Sequence, residues 1–295
     1  MSSASPSPAD DGFAAHRAAL IGLAYRMCGT RQDAEDVVQD AWLRWHARTV
    51  EPDNARAWLV RVVTNLCLDR LKRAQAQREV YVGPWLPEPV REEPAPGPDD
   101  RLALAESLSM AFLVLLQSLS PAERTALLLH DVFGYEYPDV AAFLEREDAA
   151  CRQLVARARK ALMARRPRYE RDQARAERTL EAFLAACANG DLSAIMAVLT
   201  DDVRAVADGG GKVKGAGTRP VEGPRNVARL ILGLLQKTPG ATFQIDTLNA
   251  QPALLIRVGD RLIDAVCIEW DGDRIRTLYS VLNPDKLAGL GGPAA

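Results

Sequence analysis

Between Tyr81 and Asp100 the chain carries six prolines and two glycines, and neither a helix nor a central strand tolerates that density. Proline gives no amide hydrogen and fixes φ, so no hydrogen-bond ladder can run through such a stretch. Residues 79–101 are therefore expected to be a linker. What lies on either side must bury its apolar side chains in separate cores.

A chain of 295 residues has room for two or three small domains. Its apolar fraction of 48% and charged fraction of 26% are those of an ordinary water-soluble globular protein. A net charge of −2 argues against binding nucleic acid through overall charge. The charge is uneven, however. Basic residues dominate from Arg152 to Arg178 and acidic ones from Asp33 to Asp40, which suits DNA on one surface and a protein partner on another. No run of eighteen apolar residues occurs, so no membrane span is expected. Met1 to Asp10 is rich in Ser, Pro and Ala and lacks the pattern of a signal peptide, so residues 1–12 read as a disordered tail. Five scattered cysteines without a CxxC pair, and three histidines in all, point to reduced thiols in a cytoplasmic protein. No metal site and no cofactor are expected.

Before the linker, residues 13–78 read as helical: Phe13–Cys28 stopped by Gly29, Arg31–Ala47 capped by Thr30, and Ala55–Gln77. In the second helix Val37, Ala41 and Trp45 pack inward, while Asp33, Asp36, Gln39 and Asp40 lie towards the other side and Trp42 beside the apolar stripe. In the third, Trp58, Val62, Leu66 and Leu68 are expected to be largely core. Arg61, Asn65, Asp69, Arg70, Lys72 and Arg73 are then at or near the opposite surface, where cations meet phosphate and amides meet an unpaired base.

Beyond the linker, residues 102–168 read as helices Arg101–Leu119 and Pro121–Phe133, the latter opened by a Ser120–Glu123 capping box. Tyr137–Glu145 and Asp148–Leu162 then make a helix-turn-helix. Cys151, Val155, Ala158 and Leu162 form the apolar stripe of its second helix. Ala149, Gln153, Ala156 and Lys160 lie opposite, with Arg152, Arg157 and Arg159 at the margins. Such a face fits a major groove, and equally an ordinary solvated basic face. Residues 169–295 change character: helices at 174–188, 192–199 and 224–237, then strands at 243–248, 254–257, 262–270 and 274–281. Helices followed by consecutive antiparallel strands read as an α+β cone. Cone folds often enclose a pocket, and Asp246, Asp264 and Glu269 on strands, with Trp270 and Tyr279, are candidates to line one. The domain has no histidine, which weighs against catalysis there.

The residues leave open a helix-turn-helix regulator fused to a small-molecule-binding or cyclase- or isomerase-like domain. The order of features from Phe13 to about Arg166 resembles a bacterial sigma factor of the extracytoplasmic-function class. The last third resembles a SnoaL-like domain. One subgroup of these sigma factors carries that extension, with three short motifs that stand here as Trp85–Pro89, Asp208–Lys212 and Asn283–Leu287.

The resemblance implies a multidomain fold: two all-α domains, sigma regions 2 and 4, followed by a SnoaL-like α+β cone. It implies an alternative sigma factor, not an enzyme, that binds core RNA polymerase through its beta-prime and beta subunits and recognises promoter DNA. Asp33, Asp36, Gln39, Asp40 and Trp42 become the polymerase contacts. Arg61, Asn65, Asp69, Arg70, Lys72 and Arg73 become the promoter-melting surface, and Ala150, Arg152, Gln153, Arg157 and Lys160 the upstream-element reader. Trp85, Leu86, Pro87, Asp208, Gly209, Gly210, Gly211, Lys212, Asn283, Pro284 and Asp285 become regulatory contacts of the C-terminal domain. That domain leaves room for an unidentified small ligand.

Overall fold

The structure, a computed structural model, describes residues 8–78, 80–91, 107–163 and 172–291, without the side chains of 8–11 and 75–78. The chain divides into two compact units, residues 1–77 with 116–165 and residues 78–115 with 166–295.

The first unit is helical. Helix α1 (Pro8–Cys28) begins five residues before the expected start and stops at Gly29, whose φ of 86° closes the turn. Residues 8–12 of the expected tail are thus helical, and residues 1–7 lie outside the described residues. Helix α2 (Arg31–His46) starts where Thr30 accepts the Asp33 amide at 3.1 Å. Helix α3 (Ala55–Arg78) follows, its first turn held by Asn54 Oδ1, which accepts the Ala57 amide. Its buried stripe is Leu59, Val63, Cys67 and Leu71. Trp58, Val62, Leu66 and Leu68 are only half-buried, so the expected face was turned by about one residue. Trp58, Val62 and Leu66 repeat every four residues just as Leu59, Val63, Cys67 and Leu71 do, so periodicity alone did not choose between the two faces.

Of the expected helix 101–119, residues 101–106 lie outside the described residues, and the described part is α4 (Met110–Leu116). Helix α5 (Pro121–Leu127) carries the full capping box of Ser120 and Glu123, then loosens into one π turn at Leu128–Val132. Helices α6 (Tyr137–Leu144) and α7 (Asp148–Met163) are the helix-turn-helix, separated at Glu145 in the left-handed region with φ 53°. Cys151, Leu154, Val155 and Ala158 bury its second helix.

The second unit is α+β. Helices α8 (Gln173–Ala188), α9 (Leu192–Ala197) and α10 (Pro224–Lys237) accompany a six-stranded sheet. Its strands are β1 (Leu199–Asp208), β2 (Val221–Glu222), β3 (Ala241–Leu248), β4 (Gln251–Val258), β5 (Arg261–Asp271) and β6 (Arg274–Val281), in the order β2-β1-β6-β5-β4-β3. A short helix α11 (Pro284–Leu287) ends the fold. Strands β1 and β2 were not expected, and Leu199 was assigned to a helix. β1 pairs parallel with β6, the other β6 partner being antiparallel β5.

The two faces of the sheet feed two cores, because side chains alternate along each strand. Leu254, Val266, Ile268 and Leu278 join Leu180 and Phe183 of α8. Leu255, Ala265, Cys267, Tyr279 and Val281 join Leu86 of the linker, Met110 and Ala111 of α4, and Leu287 of α11. The segment between the helical regions is therefore structural on both its sides. All five cysteines are buried and unpaired by disulfides.

Candidate functional site

In the first unit α2 presents Gln39, Asp40, Trp42 and Leu43 to solvent while Val37, Val38, Ala41 and Trp45 are buried. Trp42 is 39% exposed and Leu43 52%, and the Trp42 ring rests on His46 with centroids 4.2 Å apart. An exposed tryptophan on a helix that also exposes Asp40 offers surface that a partner protein can desolvate. Asp33 and Asp36 are differently placed. Arg70 of α3 donates to Asp33 at 2.6 Å and to Asp36 at 2.7 Å, and the two carboxylates hold its guanidinium above its usual pKa against the cost of burial. Residues expected to touch two different partners thus bind each other, and that fork fixes α2 against α3.

Asp69, Lys72 and Arg73 are exposed on α3 and Asn65 is half-buried. Arg61 is exposed but pairs with Glu145, in the turn of the helix-turn-helix, at 2.7 Å. On α7, Arg152, Gln153, Arg157 and Lys160 are exposed and Ala150 half-buried. Arg152 reaches Asp148 at 3.1 Å and lies over the Tyr137 ring. Arg157 pairs with Glu123 and Arg159 with Asp131. These are exposed pairs of small net worth, which a phosphate can displace.

The three motifs of the second unit meet at Asp208, which is 0% exposed. Its carboxylate accepts from Tyr81 Oη at 2.6 Å, the Leu86 amide at 2.8 Å, the Gly210 amide at 3.1 Å and Lys286 Nζ at 2.6 Å. Lys286 also donates to the Leu86 carbonyl at 2.5 Å, and its ammonium lies 4.0 Å from the Trp85 ring centroid. Asn283 donates to Tyr81 Oη at 3.0 Å, and Lys212 pairs with Asp285 at 2.6 Å. Burial, then the bond to Asp208, pushes the Tyr81 phenol well above its usual pKa.

The glycine run is required by this closeness. A Cβ on Gly209 would lie 2.5 Å from the Ala216 Cβ, and one on Gly210, at φ 58°, would lie 2.8 Å from Asn283 Cγ. Trp85, Leu86, Asp208, Gly210, Lys212, Asn283 and Asp285 are thus drawn to one locus, with Gly209 and Gly211 in the same loop, while Pro87 and Pro284 only adjoin it in sequence. Tyr81 and Lys286 belong to it too. Sequence reasoning missed them, although the motif ending at Leu287 contains Lys286.

The expected pocket residues do not converge. Trp270 belongs to the core shared with α8, and Tyr279 to the core shared with the linker. Glu269 accepts from Thr277 and Tyr279, and Asp246 pairs with Arg91 of the linker at 3.0 Å. Asp264 is buried and accepts from Ser280, while its Oδ1 has no partner among the described residues. Burial raises its pKa to about 7, outweighing the opposing hydrogen bonds. An unfolded aspartate ionises near pH ~4, so the fold favours the neutral acid. Stability is then fullest below pH ~4, declines as pH rises, and has lost this contribution above about pH 7. The difference is of the order of 4 kcal/mol. We expect Asp264→Asn in the full chain to abolish that decline, read as the urea midpoint of the second unit at pH 4.5 and 7.5. Identical pH dependence in wild type and variant would contradict it.

Comparison with known proteins agrees with this layout. Residues 13–77 match the family described as Sigma-70 region 2, and residues 109–162 match Sigma-70, region 4. The chain is 38% identical to ECF RNA polymerase sigma factor SigJ of Mycobacterium tuberculosis, over 94% of this chain and 92% of that protein. It is 31% identical to the probable ECF RNA polymerase sigma factor SigI of the same species, over 97% and 98% respectively. The crystal structure of the Mycobacterium tuberculosis extracytoplasmic function sigma factor SigJ superposes with a TM-score of 0.75 at 33% identity, covering 97% of this chain and 99% of that one. With both sigma regions in order and the C-terminal α+β domain shared, the chain belongs to the extracytoplasmic-function RNA polymerase sigma factors and is an alternative sigma factor in transcription initiation.

Proposed function

We propose that the chain grips core RNA polymerase through the exposed face of α2, contacts the beta-prime and beta subunits, and is regulated in cis by its SnoaL-like domain. The downstream promoter element falls to α3, through Asn65, Asp69, Lys72 and Arg73, with Arg61 joining when Glu145 releases it. The upstream element falls to α7, where Arg152 and Gln153 face solvent at the opening of the helix and Arg157 and Lys160 follow.

One observation carries the regulatory reading. The linker between the two DNA-binding regions is anchored through Leu86, Tyr81 and Trp85 to Asp208 and Lys286 of the C-terminal domain. A domain that holds this linker controls how the two regions reach DNA. The placement of Trp270 and Tyr279 in different cores favours action by contact over catalysis.

Run-off transcription with core polymerase tests the reading. We expect the full chain to initiate from a specific promoter set, and Trp85→Ala to change the yield with helix content intact. Wild-type yield both from Trp85→Ala and from a chain ending near residue 168 would remove the regulatory role. Failure of the full chain to bind core polymerase would remove the sigma assignment of these surfaces.

A further inference from the structure

The turn between β3 and β4 consists of two residues, Asn249 and Ala250, with φ of 52° and 59°. Both lie in the left-handed region that a two-residue hairpin turn demands, and asparagine tolerates it better than most residues. The turn is also buried, Asn249 being 0% exposed and Ala250 1%. A polar hairpin tip ordinarily faces water, and Asn249 instead binds the linker at Val90 and the start of the second helical region at Leu108. Its amide donates to the Val90 carbonyl at 2.8 Å, and its Oδ1 accepts the Val90 amide at 3.2 Å. Its Nδ2 donates to the Leu108 carbonyl at 3.0 Å. Leu86 on one side and Met110 and Ala111 on the other then enter the same core.

We propose that Asn249 is a clamp that holds both ends of the segment joining the two DNA-binding regions, and that its release frees that segment from the C-terminal domain. This rests on the reading that the C-terminal domain regulates the chain in cis. From Val90 to Leu108 an extended backbone reaches about 60 Å. Clamped, each end lies within 3.2 Å of an atom of Asn249, so that reach is withdrawn. The three motifs around Asp208 hold only the end of the linker before Val90. Asn249, by its hydrogen bonds to Val90 and Leu108, ties that end to the start of the second helical region, beside the core that Leu86, Met110 and Ala111 share.

The two roles of the side chain can be separated in the full chain. Asn249→Asp keeps an acceptor for the Val90 amide but sets an oxygen against the Leu108 carbonyl. Asn249→Gly tolerates the φ and keeps the backbone bond to Val90 while removing the side-chain bonds to Val90 and Leu108 and the one from Cys267 Sγ. Amide hydrogen exchange reads the result directly. In the wild type the Val90 amide should be protected. Asn249→Asp should speed exchange in residues 107–113 by about ten-fold, the factor for one lost hydrogen bond, with little change at Val90. Asn249→Gly should speed both.

An unprotected Val90 amide in the wild type, or unchanged exchange in both variants, overturns the clamp. If Asn249→Gly unfolds the unit, the wild-type and Asn249→Asp measurements still decide. Run-off transcription supplies the second readout. Release raises the fraction of chains competent to engage both promoter elements, and we expect a yield about two-fold higher or more. Faster exchange with unchanged or lower yield overturns the gating role. A wild type that does not transcribe with core polymerase refutes the underlying reading instead, leaving the exchange result standing.

Discussion

Replacing Asp208 by alanine is expected to destabilise the C-terminal unit by about 3–5 kcal/mol, the penalty for leaving a buried ammonium without its counter-charge. Lys286 and Asp208 are both buried, at 6% and 0% exposure, so solvent does not screen the loss. Lys286 would keep only the Leu86 carbonyl and the Trp85 ring among the partners described above. Tyr81 and the Leu86 amide would lose their acceptor at the same time. The linker should therefore come away from the domain before the domain itself unfolds. Exchange of the Leu86 amide hydrogen along a urea titration measures this, because that amide loses its bond to Asp208 when the linker leaves. The double variant Asp208→Asn, Lys286→Met removes both charges and retains an acceptor, and should recover more than half of the loss. A full-sized loss in the double variant, or a loss below about 1 kcal/mol in Asp208→Ala, would show that the pair is not what holds the linker.

What could be read from the sequence was mostly what is local. The Thr30 cap, the Ser120–Glu123 box and the Gly29 stop are decided within four residues, and the structure has all three. The helix-turn-helix was legible for the same reason. Strand β1 was not. Its residues Thr200, Asp201, Asp202, Arg204 and Asp208 are polar, and its partner β6 lies far along the chain, so neither composition nor a nearby hairpin signals it. Burial choices with equal periodicity were also ambiguous, as the turned face of α3 illustrates. Long-range ion pairs lay beyond any pattern. Arg70 meets Asp33 at a separation of 37 residues, and Arg61 meets Glu145 at 84. The motifs around Asp208 were recognisable as motifs through family resemblance, yet nothing in the sequence singles out Lys286 or Tyr81. Only the fold places them on one carboxylate. Asn249 falls between two expected strands and carries no signal of its own, since its partners Val90 and Leu108 are remote in sequence.

Truncating Trp42 should weaken binding to core polymerase by about 30-fold or more, the effect of losing a central aromatic anchor worth about 2 kcal/mol or more. Among the residues of α2, Trp42 and Leu43 carry large apolar side chains that the protein's own core leaves exposed. The Trp42 ring lies on His46 and is 39% exposed, so Trp42→Ala opens no cavity in the unit and should leave helix content unchanged. Asp40, exposed on the same helix, supplies charge. Asp40→Lys should chiefly slow association, and more so at low salt, as expected of a rim carboxylate facing a basic partner. Asp36 gives the contrast. Because it holds Arg70 at 2.7 Å, Asp36→Lys disturbs the α2–α3 fork as well as any partner contact, and its effect on binding cannot be assigned to the interface alone. Surface plasmon resonance against immobilised core polymerase separates the cases: Trp42→Ala should act on dissociation, Asp40→Lys on association. Wild-type kinetics for Trp42→Ala, with the helix intact by circular dichroism, would move the polymerase contact away from this face of α2.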